Sequence, residues 1–194
     1  MCPLFSQPTV SRTESERFRL GAQETFPQHG DMFTNMMLVR EMRDEDSRSF
    51  LEVHRAAVRH IAVLDYPPEV IEAWAPLPIT QVDIDAVVSN RDKEIRYVAE
   101  YNGHLIGLAC LVVAKNELRA CYVAPEAART GVGKTLLMKI EETARSAGIM
   151  HLYADSSLTA ERFYRSQGYE VVGYGQHLMR GRLPMACLKI KKAL

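Results

Sequence analysis

Across 194 residues, 24 basic side chains balance 24 acidic ones, so no charge excess points to a nucleic acid or to an anionic membrane surface as partner. No run approaches the roughly 18 consecutive apolar residues that a membrane-spanning helix needs. The four cysteines, Cys2, Cys110, Cys121 and Cys187, are scattered without a CxxC pair, which fits free thiols in a reducing, cytoplasmic setting better than a disulfide scaffold or a metal knot.

The chain length suits one α/β domain. Residues 1–36 stand apart, rich in Ser, Thr, Gln and Glu and without an apolar period. Arg12, Arg17 and Arg19 are interleaved with Glu14, Glu16 and Glu24, whereas organelle transit peptides are poor in acid. The expectation is a flexible extension over residues 1–36 followed by a single domain over residues 37–194.

In chain order, residues 37–41 read as an edge strand. Asp46 or Ser47 then caps a helix whose stripe is Phe50, Val53, Ala57 and Ile61, with spacings of three and four. Asp65-Tyr66-Pro67-Pro68 breaks it, and the prolines suit a new helix entry over residues 67–74. A further helical stretch covers residues 80–88. Strand-like runs over 95–101 and 105–113 flank Asn102-Gly103, a dipeptide that tolerates positive φ and so favours a tight hairpin. A third run, 118–123, stops at Pro125. The strongest helix follows, with Val132, Leu136, Leu137, Ile140 and Ala144 on one face and Gly148 at its close. A strand over 150–154, a helix over 159–167 and strands near 169–173 and 185–190 complete the order. Antiparallel hairpins followed by a βαβ crossover predict an α/β (α+β) domain, with a mixed, mostly antiparallel sheet and helices on both faces.

The chemistry concentrates between Tyr122 and Thr135. A strand runs into a glycine turn that opens directly into an amphipathic helix, so free backbone N–H groups and the positive end of the helix dipole face one concavity suited to a pyrophosphate. Gly131 and Gly133 let phosphate oxygens approach without a Cβ in the way. Arg129 and Lys134 add positive charge, and the hydroxyls of Thr130 and Thr135 can donate hydrogen bonds. The segment Ala128 to Thr135 also reads A-x-x-x-x-G-K-T, close to a nucleotide-binding P-loop. Its position after antiparallel strands, with too little chain left for a parallel sheet, argues against that reading.

Tyr122-Val123-x-Pro125-Glu126, then Gly131-Val132-Gly133-Lys134-Thr135-Leu136-Leu137, then Ala160-x-x-Phe163-Tyr164-x-x-x-Gly168-Tyr169 resemble, in order and spacing, the GNAT acetyltransferases. The stretch Asp65 to Trp74 and the carboxy-terminal part resemble the YafP-type branch of that family. Two positions depart from the pattern. Ala128 stands where Gln or Arg is usual, with Arg129 one step later, and Ser157 stands where Asn is common.

The resemblance implies acetyl-CoA as cofactor, its pantetheine arm beside Tyr122 and Val123 and its pyrophosphate on the amides of residues 129–134, with Val132 and Ser157 close by. It implies direct attack by an amine on the thioester, a backbone N–H near Val123 facing the developing oxyanion, and Tyr164 as proton donor to the departing thiolate. A phenol of ordinary pKa about 10 can protonate a thiolate whose conjugate acid has pKa about 8.5. Glu117 occupies a position where some relatives hold a base or a water-ordering acid. Asp65, Tyr66 and Trp74 are the candidate contacts for a small-molecule amine acceptor. The histidines show no metal-ligand spacing, so no metal is expected. A homodimer is left open. The changes at Ala128 and Ser157 keep a non-catalytic acyl-CoA sensor as the alternative.

Overall fold

The computed structural model describes residues 37–179 and 183–194; the expected extension over residues 1–36 lies outside them. The strands are β1 (Leu38–Glu41), β2 (Ile95–Tyr101), β3 (His104–Val112), β4 (Glu117–Val123), β5 (His151–Ser156), β6 (Glu170–Leu178) and β7 (Pro184–Ala193). The helices are α1 (Ser47–His60), α2 (Pro68–Trp74), α3 (Gln81–Ser89), α4 (Val132–Ser146) and α5 (Glu161–Ser166). The strands form one seven-stranded sheet in the order β1-β2-β3-β4-β5-β7-β6. Only β4 and β5 run parallel; every other neighbouring pair is antiparallel. The mixed sheet expected from the sequence is therefore what forms, and the glycine loop follows its fourth strand, not the first strand of a parallel sheet.

Local chemistry explains most boundaries. Asn102 and Gly103 both adopt positive φ in the β2–β3 turn, as a two-residue hairpin requires. Thr80 caps α3: its Oγ1 accepts from the Asp83 amide, while the Asp83 carboxylate accepts from the Thr80 amide and hydroxyl. Asp83 also receives the buried Arg55 guanidinium of α1 at 3.0 Å, which ties the two helices together. Asp46 precedes α1 as expected, but its carboxylate does not cap that helix. It accepts from the Arg43 amide at 2.7 Å and from the Arg40 guanidinium at 2.7 and 2.9 Å, because a charged fork on β1 competes better for it than the helix amides do.

The sheet has two packed faces. Leu136, Leu137, Ile140 and Ala144 of α4 pack with Leu152, Leu188 and Ile190 on one face. Val53 of α1 meets Val98, Leu108 and Cys110 on the other, and Val58, Val70 and Ile71 continue that layer to Met185 of β7.

Gly107 of β3 sits beneath the start of α4, where an added Cβ would lie 2.8 Å from both Val132 Cγ1 and Leu136 Cδ1. The close approach seats the first turn of α4 against the sheet. Gly107→Ala should therefore lower stability by about 1–3 kcal/mol through overpacking, read as a lower urea midpoint with unchanged slope. An unchanged midpoint would mean that this contact does not hold the helix start.

Candidate active site

Strands β4 and β5 share a single register pair, Glu117 with Tyr153, supported by the Tyr153 amide donating to Asn116 O at 2.9 Å. Beyond that point they part. The cause lies one residue further along: Cys110 pairs with Ala120 and Leu111 with Leu118, so Arg119 is the extra residue of a bulge in β4. A bulge bends its strand and ends regular pairing. The side of β4 that faces β5, from Leu118 to Val123, thus forms no ladder with β5, and its polar groups are available to an extended ligand.

Past Val123 the chain makes one helical turn, Pro125–Ala127, and then the glycine loop. Arg129 takes φ 67° and Gly131 φ 97°. These left-handed residues turn the chain so that α4 begins at Val132. Its first-turn amides have no intrahelical acceptor. They open into a cavity of about 710 Å³ lined by Ala57 and Val58 of α1, Ile61 just after it, Trp74, Cys121 to Val123, Arg129, Gly131, Gly133, Lys134, Ser157, and the Arg162, Phe163 and Ser166 side of α5. That volume is in the usual range for a small-molecule site, about 300–1,000 Å³. Arg129, Lys134 and Arg162 are exposed along it and form no ion pair among the described residues, so three cations are available to phosphate groups. A Cβ at Gly133 would touch Val123 and Phe163 at 3.4 Å, which keeps the helix start close to β4.

A second cavity, about 200 Å³, abuts the first and shares Trp74, Cys121, Tyr122, Ser157 and Ala160 with it. It also takes in Glu117, Arg119, Asp155, Tyr164, His177, Met179 and Met185. Tyr164 belongs to the core on the α4 face and Met185 to the core on the α2 face. The parted strands thus open a passage that both sides of the sheet line.

The comparisons with known proteins fit this geometry. Residues 40–169 match the Acetyltransferase (GNAT) family. The chain belongs to that family. Among curated relatives, it is 27% identical over 141 residues to a spermidine N(1)-acetyltransferase of Thermoplasma acidophilum, covering 69% of this chain and 88% of the relative. It is 25% identical over 138 residues to the uncharacterized N-acetyltransferase YafP of Escherichia coli, covering 71% and 84%. Among solved structures, a GCN5-related N-acetyltransferase from Rhodopseudomonas palustris superposes with a TM-score of 0.73 at 25% identity, over 81% of this chain and 95% of that one. The PaiA N-acetyltransferase of T. acidophilum, solved in complex with coenzyme A, shares the fold with a TM-score of 0.61 at 21% identity, over 81% and 99%.

Within this GNAT fold the residues singled out from sequence separate into groups. Tyr122, Val123, Arg129, Gly131, Gly133, Lys134 and Ser157 line the larger cavity, and Tyr164 and Glu117 the smaller one. Trp74 lines both and donates through Nε1 to the Tyr122 hydroxyl at 3.2 Å. Val132 faces the core. The hydroxyls of Thr130 and Thr135, expected to face phosphate, donate to Ala127 O and Gly131 O within the loop. Ser157 Oγ accepts from the Ala160 amide.

Asp65 and Tyr66 line neither cavity. Tyr66 donates to Ala186 O and accepts from the Leu158 amide, both at 2.8 Å, and Thr159 donates to Asp65 at 2.6 Å. Both side chains brace the α2 approach against β7 and the turn after β5. The Glu117 carboxylate is held on both oxygens by Arg119, at 2.7 and 2.9 Å.

Several lining residues were not singled out from sequence. The Thr159, Arg162, Phe163 and Ser166 spacing of one helical face could have marked Arg162. Asp155 and His177 carry no motif, since what brings them together is the β5-β7-β6 order.

Burial pushes the Cys121 thiol up to about 12, so it stays protonated at neutral pH and is a poor nucleophile. Burial raises the phenols of Tyr122 and Tyr164 as well, which keeps both neutral. His54 stacks edge-on against Tyr122 with ring centroids 4.7 Å apart. Burial, aided by the Arg55 charge, lowers its imidazole to about 4.

An unfolded histidine titrates near pH 6.5, so below that pH the unfolded chain binds a proton that the folded chain refuses. The His54 contribution is therefore complete above about pH 6.5 and is lost as the pH falls towards about 4. Urea midpoints should drop between pH 7 and pH 5, with a shallower drop in His54→Asn. Equal slopes in the two proteins would show that the fold does not hold His54 in its neutral form.

Proposed function

We propose that this chain is an acetyl-CoA-dependent N-acetyltransferase that moves an acetyl group to the amine of a small molecule by direct attack, without an acyl-enzyme. The observation that carries the reading is the parting of β4 from β5 beside a helix start with three available cations. An unpaired strand side suits the amide-bearing pantetheine arm as an added strand. The amides of residues 129–134, with Arg129, Lys134 and Arg162, suit the phosphates. The relative named as a spermidine N(1)-acetyltransferase supports an amine acceptor, and coenzyme A bound to a protein of the same fold supports the cofactor.

Bound acetyl-CoA supplies a thioester whose carbonyl carbon accepts an amine lone pair and whose sulfur leaves. The chain does the rest. Main-chain N–H groups near Val123 face the developing oxyanion. Trp74 and Tyr122, hydrogen-bonded to each other, wall the junction of the two cavities and limit water there. Tyr164 is 6% exposed and makes no hydrogen bond through its hydroxyl among the described residues. Its neutral phenol is therefore held ready to give a proton to the departing sulfur. Glu117, fixed by Arg119, orders water at the floor of the smaller cavity. The protonated Cys121 argues against a cysteine carrier. The thiols of Cys110, Cys121 and Cys187 are all free, which suits a reducing, cytoplasmic compartment, and no described helix is long and apolar enough to cross a membrane.

Calorimetric titration tests this directly. Acetyl-CoA should bind in the micromolar range and Mg-ATP should not. Tyr164→Phe should lower kcat about 10²-fold while leaving acetyl-CoA affinity unchanged. Binding of Mg-ATP alone would revive the P-loop reading. Tight acetyl-CoA binding without transfer to any amine in a broad panel would instead make the chain a sensor.

A further inference from the structure

The smaller cavity contains several groups that exchange protons, and their environments separate them. The Glu117 carboxylate is bonded through both oxygens to Arg119. The Asp155 carboxylate is bonded through both oxygens to Lys189 Nζ, at 2.8 and 2.7 Å. Cys121 and Tyr122, both half-buried, and the buried Tyr164 are held protonated by desolvation. Arg119 does not deprotonate in water. His177 of β6 is what remains: a half-exposed imidazole that lines the cavity with Nδ1 3.7 Å from Asp155 Oδ2. Imidazole is the side chain suited to taking and releasing a proton near neutral pH.

The geometry also indicates what would sit beside it. Trp74, Met179 and Met185 give the cavity apolar walls, Asp155 and His177 give it a polar end, and its volume of about 200 Å³ is below the usual range for a whole small-molecule site, about 300–1,000 Å³, so it suits the head of a molecule. Tyr164, buried and without a hydrogen-bond partner among the described residues, lines the cavity from the opposite face of the sheet.

We propose that His177 is the general base of the transfer, and that the smaller cavity is the acceptor subsite for the head of an aliphatic primary amine. This rests on the acetyltransferase reading above. The ammonium of the acceptor gives one proton to the His177 imidazole, and the imidazolium faces the Asp155 carboxylate until its proton passes to solvent. The freed nitrogen lone pair forms the C–N bond at the thioester carbonyl. The C–S bond breaks with its electron pair staying on sulfur, which takes the Tyr164 phenol proton. The phenolate recovers a proton from the acylated nitrogen. The sum is one amide, one thiol and one proton released to water.

The charged groups facing the imidazole are Asp155 of β5, Lys189 of β7 bound to it, and the Glu117–Arg119 pair of β4 across the cavity. Each carboxylate is matched by a cation, which leaves the His177 imidazole as the cavity side chain placed to accept a proton from the acceptor.

The test uses n-butylamine as acceptor probe, with acetyl-CoA affinity measured separately by calorimetry. His177→Gln, on an exposed position of the edge strand, should keep acetyl-CoA affinity within about twofold, lower kcat/KM for n-butylamine about 10²-fold at pH 7, and remove the acidic limb of its pH profile. Independently of turnover, n-butylammonium added to the coenzyme A complex should shift one imidazole NMR signal, the one missing from His177→Gln spectra. An unchanged pH profile in the variant, or a probe that moves other imidazoles and spares this one, overturns the assignment. So does acetyl-CoA binding with neither turnover of n-butylamine nor any imidazole shift. Loss of acetyl-CoA binding in the unaltered protein would instead remove the transferase reading beneath it.

Discussion

The structure turns on a one-residue mismatch between two strands. Because β4 carries one residue more than its β3 partner at Arg119, it bends away from β5 after a single register pair. A sheet that loses a ladder in its middle leaves polar backbone facing a gap, and such groups are costly unless water or a ligand meets them. The rest of the fold limits that cost. The Leu188–Ala193 part of β7 pairs with the whole of β5, and α4 packs across β2, β3 and β4, so the sheet stays whole around the opening. The Arg119 side chain, pushed out at the bulge, is used to hold Glu117 and Asp92 at 2.7 to 2.9 Å.

From that gap the division of labour follows. One end runs to the glycine loop, where a left-handed Arg129 and Gly131 place amides and cations together. The other end passes through the sheet into a small cavity, where Tyr164 arrives from the α4 side and Asp155 and His177 from the far strands. Trp74 and Tyr122 stand at the junction. Their contact, with His54 packed under Tyr122, couples the α1–α2 layer to the wall of the site. A change in that layer can therefore alter the site without touching a ligand.

Much of this was legible in the residues. Helix α4 announced itself by its stripe, all of which is buried, and the Asn102-Gly103 turn by its tolerance of positive φ. The strand, glycine turn and helix start over residues 117–135 were legible because they are consecutive in the chain. What was not legible depends on distant pairings. The bulge at Arg119 has no glycine or proline to mark it. Asp65 and Tyr66 looked like acceptor contacts because they are polar and aromatic beside a loop, yet Tyr66 spends both hydrogen-bonding capacities on Ala186 and Leu158. Asp155 and His177 meet only because β7 inserts between β5 and β6, which no local pattern encodes. Asp46 shows the same limit on a small scale, since its partner is Arg40 on β1 and not the helix it precedes.

The central claim is that the unpaired side of β4 receives the cofactor, and backbone hydrogen exchange tests it most directly. Exchange of the β4 segment, residues 118–123, should slow markedly when coenzyme A is added, together with the loop amides of residues 129–134, while the β6–β7 hairpin stays unchanged. Protection confined to the loop, with β4 exchanging as fast as before, would mean that coenzyme A does not pair with the strand and would contradict the account.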